Sequence, residues 1–366
     1  MASWHTLGRQ KIERKRLTSR YADERVIVER AQVKQRIDRT SEAFFDKERL
    51  ATRGPHPLNI VRKRLSGAPG ARAAVVLIHG FGQNRYTWHL PSRSFANYLA
   101  ANGMDVFNVD LRGHGLSRVK GAKTVNSIDE YVRQDLPAAV DAALRHSGKR
   151  QAFIIGHSLG GLVAYAGASA VEPSVAGIIS IGSPYHFARG SKPLSALAQM
   201  SHQLLRFRGP LRDFVQTAPL PIGVIGTILR HGRRLSDSAL YPLPIRAWHR
   251  NACEPHVIEE HLRLAFDQAS LAEAIRLLEW SKDKRFGGDR HRYDVAFEAL
   301  DVPLLVIAGS RDDLARPEGV KPAYEKSRSS DKTFVSFPLG HVDLIVGRDA
   351  HVMTWSTILR WITARS

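Results

Sequence analysis

The sequence predicts an α/β fold, a mostly parallel sheet covered by helices on both faces. Three observations point there. Short apolar runs rich in β-branched residues recur along the chain: AAVVLIHG (73–80), AFIIG (152–156), VAGIISIGS (175–183) and VPLLVIAGS (302–310). They lack polar alternation, the pattern of strands buried on both faces. Segments of helical spacing lie between them, and strands alternating with helices imply βαβ crossovers.

Taken in order, residues 1–42 read as a basic arm. Val26, Val33, Ile37 and Phe44 fall near one helical face, which predicts an amphipathic helix packed on the body or on a second subunit. The competing reading is weak contact with an anionic membrane surface. Interleaved acidic residues favour packing. The core then starts at residue 43. LNIVRKRL (58–65) alternates like a strand, and residues 73–80 form the first buried strand. SRSFANYLAANG (92–103) is a helix with a glycine stop, and MDVFNVD (104–110) a strand. IDEYVRQDLPAAVDAALRHSG (128–148) is a helix kinked near Pro137. Strand 152–156, helix 162–170 and strand 175–183 follow. Residues 302–310 and KTFVSFP (332–338) are the last strands, and WSTILRWI (355–362) is the closing helix. Between 184 and 301 no comparable strand occurs, while EEHLRLAFDQASLAEAIRLLEW (259–280) reads as helical. The expected division is therefore a core of residues 43–184 and 300–366, with a helical insertion over 185–299. An insertion at the carboxyl edge of the sheet is a candidate lid.

Composition narrows the class. The chain has 366 residues, 43% hydrophobic, enough for a large core and more than one domain of modal size needs. The single cysteine, Cys253, excludes an intrachain disulfide framework and a cysteine-based zinc site. The net charge of +19 favours anionic surfaces but specifies no chemistry. Zinc-ligand and RNA-binding signatures are absent from the sequence, so specific nucleic-acid binding is not expected. Nor is a metal or cofactor. The first residues lack the apolar stretch of a secretory signal. The longest apolar candidate, 218–229, is too short for a membrane span and is broken by proline and glycine. The expectation is a cytoplasmic protein, at most peripheral to a membrane.

The chemistry centres on FIIGHSLGGLVAYAG (153–167). A serine hydroxyl is a poor nucleophile without a base, an orienting carboxylate and donors for the oxyanion. G-H-S-L-G between a strand and a helix gives the sharp turn that lifts Ser158 above the sheet. Leu159 then offers its N–H at the helix start, where an anion is favoured. A second donor is expected from the loop HGFGQNRYTW (79–88), at the N–H of Phe81. His79 reads as a structural residue of that turn. The orienting acid is expected after strand 302–310, where Asp312 and Asp313 stand together. Side-chain alternation lets one of them point correctly. The base is expected after strand 332–338, at His341. Asp343, two residues on, reads as local structure. The order Ser158, Asp312, His341 is the one this strand arrangement requires.

With these residues the chain resembles the α/β-hydrolase superfamily. The matching motifs are HGFGQN, DLRGHGLS (110–117), GHSLGG, AGSRDD and GHVDL. GSRDDLARPEGV followed by HVDLIVGRDA is most similar to the acid lipase branch. The resemblance implies Ser158 as nucleophile, Asp312 rather than Asp313 as acid, and His341 as base. It implies the backbone of Phe81 and Leu159 as oxyanion hole. Polyhydroxyalkanoate synthases resemble the acid and base region but carry cysteine at the nucleophile. Haloalkane dehalogenases and epoxide hydrolases carry aspartate there. Ser158 argues against all three. The expected function is ester hydrolysis through an acyl-enzyme, on a small-molecule ester with an apolar acyl group. Acyl transfer and thioester hydrolysis use the same triad. A catalytically silent module binding anionic partners is the reading from another class. Residues 219–232, Trp248 and Trp280 either line an acyl tunnel or pack helices, and packing is expected to explain most of them.

Overall fold

The computed structural model describes residues 27–53, 56–118, 128–187, 189–190, 192, 195, 219–220, 226–227, 246–282, 286 and 292–366. Its frame is a nine-stranded sheet. The strands are β1 (Ile27–Arg36), β2 (Glu42–Ala51), β3 (Asn59–Leu65), β4 (Ala74–Ile78), β5 (Asp105–Asp110), β6 (Ala152–His157) and β7 (Val175–Ile181). A short pair, β8 (Pro219–Leu220) and β9 (Ala269–Ser270), stands apart. β10 (Leu304–Gly309) and β11 (Lys332–Phe337) complete the large sheet.

The order is β1-β2-β3-β5-β4-β6-β7-β10-β11. Pairs from β1 to β5 along this order are antiparallel, and the remaining pairs are parallel. β4, β6 and β10 are buried at every position, as their short apolar runs predict, and so is β5 despite Asp105, Asn108 and Asp110. Two hydrophobic clusters contain the side chains of the two sheet faces. From β4 the chain crosses to β5 on one side and then returns to β6 on the other. That reversal opens a crevice at the carboxyl ends of β4 and β6, where open α/β sheets bind ligands.

The helix expected over the N-terminal arm is not there in the described part: residues 27–36 are a strand. The core sheet therefore begins at residue 27, and the boundary expected at 42 falls inside a hairpin. Its main chain pairs along the length of β2. The turn is set by Asp38, whose Oδ1 accepts from the N–H groups of Thr40 and Ser41 at 2.7 and 2.9 Å. Across the sheet, Arg30, Glu48, Arg62 and Asp105 alternate in sign on four strands, each within 2.9 Å of the next. Tertiary pairing thus overrides a weak helical periodicity. Residues 1–26, with Val26, lie outside the described residues.

Helix α1 (Phe95–Ala101) starts where the Ser94 side chain accepts from Asn97 N–H. The kink near Pro137 takes the form of a π turn, Tyr131–Asp135, just before α2 (Leu136–Ser147). Helix α3 (Leu159–Gly167) follows β6 directly. In the insertion, the helical stretch read over 259–280 is two helices, Pro255–Leu264 and Leu271–Lys282. The chain between them is drawn out because it bonds the loop after β4. The second helix starts with a capping box: Ser270 Oγ accepts from Glu273 N–H, and Glu273 Oε2 accepts from Ser270 N–H. Most of residues 191–245, including most of 218–229, lie outside the described residues. No described helix is long and apolar enough to cross a membrane.

Candidate active site

The turn from β6 into α3 forces Ser158 to φ 54°, ψ −118°. Such a backbone costs a non-glycine residue about 1–3 kcal/mol, so the surroundings must hold it. They do so by close approach. A Cβ on Gly156 would lie 2.3 Å from the backbone of Gly160, and one on Gly160 would lie 2.2 Å from Ile78 O. Strand and helix meet at this distance only with glycine at both places. Ser158 N–H donates to Ile181 O at 3.0 Å, fixing the serine against the end of β7.

The acid and base are brought together directly. His341 Nδ1–H donates to Asp312 Oδ2 at 2.7 Å. The other oxygen of Asp312 accepts from the N–H groups of Leu314 and Ala315 at 2.8 and 2.7 Å. With its proton on Nδ1, the imidazole keeps the lone pair on Nε2. Both side chains are nearly fully buried. Asp313 turns the other way. Its carboxylate accepts from Arg246 N–H and from Arg316 Nη2, each at 3.2 Å. Gly182 ties the serine side to this pair. It follows Ile181, and a Cβ on it would lie 3.2 Å from Asp312 Oδ2 and 3.3 Å from His341 Nδ1. A direct bond from Ser158 Oγ to His341 is not among those of the described residues.

Two residues that the sequence reading gave no catalytic part hold the His341 loop. His157 Nε2–H donates to His341 O at 3.1 Å, and the two rings lie 4.6 Å apart. Burial, then the nearness of His341, pushes the pKa of His157 well below the usual histidine value. Asp343 accepts from Gly340 N–H at 3.0 Å, His249 N–H at 2.8 Å and Cys253 Sγ at 3.3 Å. Burial raises its pKa. Asp343 is thus local structure, as its position implied, and it also joins the loop to residues 249–253. Histidine next to the serine in G-H-S was the visible sign of the first contact; no local sign marks the second.

On the other side stands the loop after β4. His79 Nε2 accepts from Leu111 N–H at 3.1 Å, so the ring proton is on Nδ1, which donates to Gly80 O at 2.9 Å. Burial lowers the pKa of His79. His79 is a brace of the turn. Gln83 N–H also donates to Gly80 O, at 3.3 Å. No described group accepts from the N–H of Phe81 or of Leu159. At the end of β5, buried Asp110 accepts from Arg85 N–H at 2.8 Å, Arg85 Nη1 at 2.7 Å and Leu116 N–H at 2.9 Å. That carboxylate ties DLRGHGLS to Arg85, just past HGFGQN, across the paired strands β4 and β5. Trp248 and Trp280 are buried, and Trp280 packs edge-on to Phe286 and Tyr293. Among the described residues no group of three or more His, Cys, Asp or Glu is placed to hold a metal ion.

Comparison with known proteins agrees with this architecture. A family model described as alpha/beta hydrolase fold matches residues 73–348. The gastric triacylglycerol lipase of Homo sapiens is 32% identical over 123 residues, 31% of each chain. The pimeloyl-[acyl-carrier protein] methyl ester esterase of Aliivibrio fischeri is 33% identical over 140 residues, 37% of this chain and 48% of that one. The match thus spans about a third to a half of these relatives' length. Among solved structures, the monoacylglycerol lipase of Paleococcus ferrophilus superposes with a TM-score of 0.57 at 20% identity, over 84% of this chain and 99% of that one. At that identity the likeness concerns the fold.

Proposed function

The chain belongs to the α/β hydrolase fold family, and from that premise we propose that it is a serine hydrolase cleaving carboxylic esters. The observation that carries the reading is the buried 2.7 Å bond between His341 and Asp312 beside a serine held on a strained elbow. Ser158 Oγ attacks the ester carbonyl carbon as its proton passes to His341 Nε2. Asp312 keeps the imidazole in the tautomer that can take the proton, and it stabilises the imidazolium that forms. The carbonyl oxygen becomes an oxyanion facing the N–H groups of Phe81 and Leu159, which are left unengaged by the described residues. Collapse breaks the bond to the alcohol oxygen, and His341 returns the proton to that oxygen. Water, losing its proton to His341, then cleaves the acyl-Ser158 ester.

The substrate class we infer is a small ester with an apolar acyl group. The name of one relative supports it, a triacylglycerol lipase. The test is turnover of p-nitrophenyl esters of increasing chain length by wild type and Ser158→Ala. Wild type should hydrolyse them and the variant should not. Equal rates in the two would sink the reading.

A further inference from the structure

We propose that Asp267, at the root of the insertion, is a positioning residue that aims the oxyanion donor. The proposal rests on the ester hydrolase reading above. In a trans peptide the C=O and N–H point in opposite directions. Whatever holds Gly80 O therefore sets the direction of Phe81 N–H, which belongs to the same peptide. Two donors hold it. His79 is anchored to the core through Leu111 N–H. Gln83 N–H is anchored elsewhere.

Gln83 forms a single antiparallel bridge with Phe266 of the insertion. Two main-chain bonds close the bridge: Asp267 N–H to Gly82 O at 2.8 Å and Asn84 N–H to Ala265 O at 3.0 Å. The Gln83 side chain is clasped as well. Its Nε2 lies 3.3 Å from His261 Nε2, and its Oε1 accepts from Thr87 Oγ1 at 3.0 Å. His261 is buried, and burial followed by nearness to His341 lowers its pKa to about 4, so the ring is a neutral acceptor at pH 7. The insertion thus supplies one of the two supports of the donor peptide.

Asp267 locks that support in place. Its Oδ2 accepts from Gly115 N–H at 2.7 Å and Asn84 Nδ2 at 3.3 Å. Its Oδ1 accepts from Gln268 N–H at 2.8 Å and from Arg118 Nη2. Asn84 Nδ2 reaches Leu264 O at 3.0 Å, and Asn84 Oδ1 accepts from Tyr86 N–H at 2.9 Å. One carboxylate, with its side chain 10% exposed, therefore joins the loop after β4, the loop after β5 and the insertion. Removing it frees the bridge to shift. The Gln83 N–H then no longer fixes Gly80 O, and Phe81 N–H loses its aim. Ground-state ester binding does not need that aim, whereas the tetrahedral anion does.

The experiment compares wild type, Asp267→Ala, Asp267→Asn and Asn84→Ala in two assays. One is steady-state hydrolysis of a short p-nitrophenyl ester. The other is inhibition by phenylboronic acid, whose adduct on a serine is tetrahedral and anionic. Asp267→Ala should lower kcat roughly tenfold with KM within about twofold, and should weaken boronate binding by a similar factor. Asn84→Ala should show the same pattern, and the isosteric Asp267→Asn a smaller version of it. The two milder variants carry the test if Asp267→Ala does not fold. Folded variants with a lowered Tm but wild-type kcat and boronate affinity would overturn the proposal. So would a loss confined to KM. A wild-type protein that neither hydrolyses esters nor binds boronate would instead overturn the hydrolase reading itself.

Discussion

Asp312 and His341 stand 29 residues apart, on loops after the neighbouring strands β10 and β11, and they meet within the core. The loop that carries Phe81 meets the insertion through Asn84 and Asp267, 183 residues apart. The acid–base pair itself meets across adjacent parallel strands, with His157 and the Asp343 contacts to residues 249–253 bracing the loop that carries the base. The oxyanion half is assembled from two distant parts of the chain. Changes in the insertion root should therefore damage transition-state binding while leaving the proton-transfer pair intact.

The strongest way to break that comparison is at the group both halves serve. Ser158→Ala should lower kcat by a factor on the order of 10⁴ or more. Next is the acid–base half alone. Asp312→Asn should cost roughly 10³–10⁴-fold in kcat, since the wrong tautomer then faces the serine. Asp313→Asn, whose carboxylate faces Arg246 and Arg316, should stay within about twofold of wild type. Equal losses at the two positions would break the assignment.

Acid sharpens the contrast from the insertion side. His261 titrates near 4 in the folded chain and near 6.5 when unfolded. Between those values the unfolded chain binds a proton that the folded one refuses. Stability is therefore complete above about pH 6.5 and falls as pH drops towards 4. His261→Gln should flatten this loss by at most about 3 kcal/mol in urea titrations at pH 7 and pH 4. The remaining slope belongs to other buried histidines with lowered pKa, such as His79 and His157. An unchanged slope would mean that the insertion root does not titrate as described. The tenfold loss at Asp267→Ala is smaller than those at Ser158→Ala and Asp312→Asn.

The sequence made one half of this comparison readable. Ser158 and Asp312 each follow a strand buried at every position and His341 follows a half-buried one, so strand signals and motif spacing pointed to them. Of the other half it showed Leu159 and the loop 79–88, but not the contacts that hold that loop. Contacts such as Gln83 with Phe266 leave no periodic sign, because a bridge of one residue has no pattern to repeat. The N-terminal hairpin escaped for a related reason. β1 is an edge strand: Val28, Arg30, Gln32, Lys34 and Arg36 are exposed on one face, and on the other Glu29 and Gln35 interrupt half-buried Ile27, Ala31 and Val33, so the apolar alternation that marks a half-buried strand is broken. Only its pairing with β2 decides the conformation. Likewise, nothing local in 259–280 says that Asp267 interrupts a helix to reach Gly82 and Gly115.

The most direct measurement is the site of the acyl-enzyme. The protein is mixed with a p-nitrophenyl ester, quenched in acid and digested, and the peptides are weighed by mass spectrometry. The account predicts one acyl group per chain on Ser158, and none on the Ser158→Ala protein. An acyl group on another residue, or undiminished ester turnover by Ser158→Ala, would contradict it.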